Sequence, residues 1–181
     1  MTRDAPPDDV NRPKRYSDRP LPPYSHVPGL TPHPVSDPRG HMHGQEEEEP
    51  SALEPEAWEQ SPTFLYAIDL FNYGYYWEAH EAWEQLWIAA GRAGGAADFL
   101  KGLIKLAAAG VKLREGNSEG VLRHGKRAEQ LLAAGAMCGL DHETLLSHAA
   151  STQALSGEVP DGRDADRALP IALEPKNVTE P

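Results

Sequence analysis

The segment 75–87, YYWEAHEAWEQLW, sets one imidazole and two carboxylates, His80, Glu81 and Glu84, among three tryptophans. A histidine and a glutamate one helical turn apart are the residue types of a general base, of a pair of metal ligands, or of a buried structural ion pair. On a helical wheel of about 100° per residue, Tyr76, Ala79, Trp83, Leu86 and Trp87 form a broad apolar face. His80 and Glu84 fall on its margin, with Trp77 and Ile88 beyond them. Glu81 lies just outside, and Glu78 and Gln85 point to the far side, where the wheel predicts solvent. A carboxylate at Glu84 then needs a partner: His80, a lysine from another helix, or a metal ion. The pattern H-E-x-x-E has Glu84 where the zinc proteases have a second histidine, so it names no reaction by itself.

Two other segments bear on the same region. In DFLKGLIKLAAAGVKLREG, Lys101, Lys105 and Lys112 form a narrow stripe on an otherwise apolar helix. It is either that helix's wet edge or a cationic wall facing carboxylates or an anionic ligand. His124 shares a face with Val121, Ala128, Leu131 and Leu132. Alone it reads as a core histidine; with His80 and Glu84 it makes a His-Glu-His set suited to a divalent metal, Zn, Mn, Fe or Ni. In that reading His80, Glu84 or Glu81 is the base or a ligand. Asn72, Tyr76, Trp87, Lys101 and Lys105 line the bound molecule, and metal-assisted hydrolysis is the reaction class. The competing reading has no catalysis: the H-E-x-x-E helix is a structural lock, and its aromatic face packs a second copy or a partner helix. Cys138 has no pattern marking a nucleophile and reads as a buried bystander.

Helices must position these groups. Ser61 and Pro62 supply an N-cap and first-turn proline, opening a helix over 61–73 that Gly74 interrupts. A second helix is expected over 75–90, a third over 96–116, a fourth from Asn117 or Ser118 to about 134, and a fifth from Asp141 over 141–155. No window alternates like a strand. Short loops make neighbours antiparallel, so the expected fold is an all-α up-and-down bundle of five helices over 56–155.

The ends differ in composition. Of the 17 prolines, 13 fall at or before Pro62, beside the acidic run 46–49. Residues 1–55 are therefore expected to be a disordered or extended tail, with His33, His41 and His43 solvated in it. Residues 156–181 are expected to form a second such tail, from which the run LPIAL can reach the core. A net charge of -11 argues against nucleic acid or an anionic membrane as partner. The opening residues carry no apolar targeting segment, no apolar run approaches the ~18 residues of a membrane span, and the single cysteine excludes an intrachain disulfide. A cytoplasmic protein is the expectation.

Together, LFNYGYYWEAHEAWEQLW, FLKGLIKLAAAGVKLREGNSEGV and RHGKRAEQLL resemble the domain-of-unknown-function 309 family of small all-helical proteins. The resemblance rests on Phe71, Asn72, Gly74, Glu78, Ala79, His80, Glu81, Glu84 and Trp87, then on Phe99, Leu100, Gly102, Leu103, Ile104, Leu106, Ala107, Gly116, Asn117 and Gly120. It implies a helical fold and a functional region around this helix, and it brings no assigned activity. Glutamine is the family's common residue where Lys101 and Lys105 stand. Histidine is common where Lys112 stands, so a metal ligand drawn from that histidine would be missing here.

Overall fold

A computed structural model describes residues 12–46 and 49–176. Among these residues there are five α-helices: α1 (Pro62–Asn72), α2 (Tyr76–Ala89), α3 (Gly95–Arg114), α4 (Ser118–Leu132) and α5 (His142–Leu155). Each boundary lies within about two residues of the sequence expectation, because the caps are local chemistry. Ser61 Oγ accepts the Phe64 N–H, Asn117 Oδ1 the Gly120 N–H and Asp141 Oδ2 the Thr144 N–H, each satisfying a donor with no intrahelical partner. No helix among the described residues is long and apolar enough to cross a membrane.

α3 is the central helix, packed between α2 and α4, with α1 beyond α2 and α5 beyond α4. Trp83, Phe64, Phe71, Ile68, Leu103 and Leu106 are among the buried side chains of one continuous core. Each contributes roughly 1.5–3 kcal/mol on removal from water. α2 approaches α3 closely at Gly110, where a Cβ would run into the Tyr76 ring. Gly74 turns the chain from α1 into α2 at φ +80, in the left-handed region that favours glycine.

The arms outside the bundle also contribute to its packing. Residues 12–46 contain no helix or strand, yet they are laid along α1 and α2, with Val27 fully buried. Two buried carboxylates hold them. Asp69 of α1, 0% exposed, accepts the backbone N–H groups of Tyr16 (2.7 Å) and Ser17 (2.9 Å) and the Ser17 hydroxyl (2.7 Å), and pairs with Arg15 Nε at 2.9 Å. Glu78 of α2 holds His26 in the same way, as described below. A proline-rich chain suits this role because its missing N–H groups leave fewer donors to satisfy.

At the other end, Leu169 and Leu173 of LPIAL are buried in the core. Asn72 clamps the second: its Nδ2 donates to the Leu173 carbonyl (2.8 Å) and its Oδ1 accepts the Leu173 N–H (2.7 Å). A 3-10 helix, Pro55–Gln60, seats Trp58 edge-on against Phe64, an element that the sequence reading placed in the tail and the start of the bundle domain without structure.

Candidate functional site

His80, Glu81 and Glu84 stand at i, i+1 and i+4 of α2, and one ligand atom from each lies within 4.8 Å of the others. His80 Nδ1 and Glu81 Oε1 are 3.2 Å apart, with the two side chains 28% and 37% exposed. The three groups are partly buried, so Glu84 is not enclosed by oily neighbours as the wheel suggested. The hydrogen bond that His80 makes among the described residues goes to the adjacent Glu81 and not to another helix.

His124 of α4 is outside this triple, and Glu81 takes the place that the His-Glu-His reading gave it. It is nevertheless a neighbour. Burial, followed by the charges of Lys105, Arg123, Lys112 and His80, pushes the His124 imidazole down to about 4. It is therefore a neutral ring at neutral pH, an acceptor or a base rather than a cation.

The lysine stripe is more than a wet edge. Burial and then Lys101, Arg127 and Arg123 lower the pKa of Lys105, with Glu84 opposing them. Lys101 Nζ sits 5.5 Å from the Trp87 ring centroid and Arg92 5.7 Å, so Trp87 carries cations on its ring. Lys105 of α3 thus acts electrostatically on Glu84 of the α2 triple, whereas Lys112 pairs with Glu115.

Two residues expected to line a ligand are committed elsewhere. Tyr76 is 3% exposed; its ring lies under the Arg114 guanidinium at 4.9 Å and its hydroxyl oxygen accepts the Leu169 N–H at 2.8 Å. Asn72 spends both ends of its amide on Leu173. Both are structural because the C-terminal arm, invisible to a helical wheel, lands on them. Cys138 is the buried bystander expected: burial and Glu56 push its thiol up to about 12.

The largest correction concerns Glu78. The wheel put it in water, but it is 5% exposed, because residues 24–41 cover that side of α2. Its Oε1 accepts the His26 backbone N–H at 2.8 Å and faces His41 Nε2 at 3.2 Å. His41, expected in solvent, has a side chain only 7% exposed. The rings of His26, His33 and Trp77 meet edge to face at 5.2–5.3 Å. Desolvation raises the Glu78 pKa, opposed by the hydrogen bonds from His26 and His41. Glu78 also lines a cavity of about 810 Å³ between the N-terminal arm and α1–α2, and Glu81 and Gln85 stand on the same wall. A signal for this cluster does exist in the sequence: Tyr16, Tyr24, His26, His33 and His41 are unusual company for a solvated proline tail.

Nothing among the curated proteins and nothing among the solved structures matches this chain. The motif resemblance does find its counterpart, for residues 64–124, which run from α1 into α4 and include the whole H-E-x-x-E helix, match the model of the family described as Domain of unknown function (DUF309).

Proposed function

We propose that the chain binds a divalent transition-metal ion through His80, Glu81 and Glu84 and presents it to an anionic substrate. The observation that supports this reading is the convergence of one imidazole nitrogen and two carboxylate oxygens within 4.8 Å. Imidazole and carboxylate together suit Zn, Mn, Fe or Ni. Three protein ligands would leave coordination positions open, as catalytic rather than structural sites do. Lys101 and Lys105 would attract and orient negative charge, and neutral His124 is available to take a proton. Hydrolysis of an anionic ester is the reaction class this set favours, and the cytoplasm is the compartment we infer from the single, free cysteine. The test is metal content after reconstitution with Zn, Mn, Fe or Ni. About one ion per chain is expected, lost in His80→Ala and Glu84→Gln while helicity is retained. Equal metal in wild type and both variants, or none in any, overturns the reading.

A second reading, a partner or second copy docked on α2, is favoured by Ile88, 48% exposed beside Trp87. Light scattering on wild type and Ile88→Glu tests the second copy: a dimer that becomes a monomer supports it, and a monomer throughout removes it.

A further inference from the structure

We propose that the outer surface of α1 and α2 is a recognition site for residues 12–42 as a separable ligand, and that a second copy of this chain supplies them by exchanging arms. The proposal uses neither the metal triple nor Ile88.

The surface grips the arm as an interface grips a peptide. Tyr66, Asp69 and Tyr73 stand at i, i+3 and i+7 along α1 and its C-cap, on one face. The Tyr66 hydroxyl donates to the Pro20 carbonyl at 2.9 Å, and the Tyr73 hydroxyl to the Pro13 carbonyl at 2.8 Å. Their rings carry Arg19 at 4.5 Å and Arg15 at 5.6 Å, and Arg15 also pairs with Asp69. α2 adds Glu78, which accepts the His26 N–H at 2.8 Å. Tyrosine and arginine anchors of this kind are what protein interfaces concentrate.

The arm's backbone makes the same point. Among the described residues, no backbone–backbone hydrogen bond joins residues 12–46 to the bundle, and the arm's own such bonds close turns within it. Side chains of the surface therefore hold the arm, and the arm of any copy satisfies them. Charge favours the encounter: Arg12, Lys14, Arg15 and Arg19 stand near one carboxylate, Asp18, in a chain of net charge -11. Residues 43–46, which follow, are exposed and include Gly44 at φ +70. The arm can turn there towards a neighbour with every contact kept, which is the requirement for exchange of an identical element. The tether favours the chain's own arm through an effective concentration on the order of millimolar, so exchange grows as the protein is concentrated. The cavity between arm and helices is then built from two copies.

Complementation between two full-length variants tests this. Asp69→Ala with Glu78→Ala spoils the surface and leaves the arm; Arg15→Ala with Val27→Asp spoils the arm and leaves the surface. Each alone should expose its arm to trypsin. Mixed at high concentration, they should form a one-to-one heterodimer by light scattering. Cleavage after Arg15, a site only the first variant carries, should then slow about tenfold or more. Excess synthetic peptide of residues 12–42 should dissolve the heterodimer. The proposal is overturned if the mixture gives no heterodimer, if Arg15 is cut as fast as before, or if the peptide leaves the heterodimer intact. A dimer through Ile88 would form in each variant alone, so the two associations are told apart. If the surface variant does not fold, Tyr66→Phe with Tyr73→Phe, which keeps the rings, takes its place and the same outcomes decide.

Discussion

Asp69 and Ser17 are joined twice: one carboxylate oxygen accepts both the backbone N–H (2.9 Å) and the hydroxyl (2.7 Å) of a residue 52 positions earlier. The contact is fully buried on the Asp69 side, and it fixes the start of an arm that goes on to bury Glu78. Removing it should therefore act on the arm before the bundle. Asp69→Ala is expected to cost about 1–3 kcal/mol in urea unfolding, the usual range for stranded buried donors. It should also expose the Arg15–Tyr16 bond, so that trypsin cuts there faster while the helical signal stays. Unchanged cleavage would mean that the arm does not depend on this anchor.

Glu78 should leave a signature in the pH dependence of stability. Its folded pKa is raised above 4.5 by desolvation, so between 4.5 and the folded value the native state holds the extra proton. The stability from that protonation is present at low pH and is lost as pH rises through the folded pKa. Glu78→Gln resembles the protonated form and has no such loss. Denaturation at a series of pH values should find the variant at least as stable as wild type above neutrality, with the gap closing towards about pH 4. A variant less stable than wild type at alkaline pH contradicts this.

His124 should show the opposite slope. Its folded pKa, about 4, lies below the ordinary 6.5, so in that window the unfolded chain binds the extra proton. Stability is fully present above 6.5 and falls as pH drops towards 4. In metal-free protein His124→Gln should flatten this part of the curve, and NMR titration of the ring should put its midpoint well below 6.5. A midpoint at or above that value would mean that water reaches the ring freely.

The α2–α3 approach yields a packing prediction. Gly110→Ala puts a methyl into the Tyr76 ring, which is held from its other sides by Arg114 and Phe71. Overpacking of this kind costs about 1–3 kcal/mol, read as a lower melting temperature with the helices intact. Wild-type stability in this variant would show that the two helices can separate at little cost.

The helices were legible because what defines them is local. Ser61, Asn117 and Asp141 cap the helices they precede, and the 3.6-residue period of α2 correctly buries Ala79, Trp83 and Leu86. The juxtaposition of His80 with Glu84 was legible for the same reason, since it follows from a spacing of four. Glu78 was not. A helical wheel says which residues share a side, but the side opposite the bundle is covered here by an arm whose extended, proline-rich chain carries no period. Tyr76 and Asn72 escaped the sequence reading in the same way, through partners about a hundred positions away. Long-range cover is set by the tertiary arrangement: the aromatic and imidazole residues of the arm hint that it packs, but no spacing says onto which side of which helix.

The amide of Asn72 has a consequence for how the molecule is made. Both of its hydrogen bonds wait for Leu173, 101 residues later, while α1 and α2 can form as soon as they are synthesised. Closing so long a loop carries an entropic cost that local helix formation does not. On the ribosome α1 and α2 can assemble with this seat still vacant, and the Asn72 amide is satisfied only once Leu173 emerges.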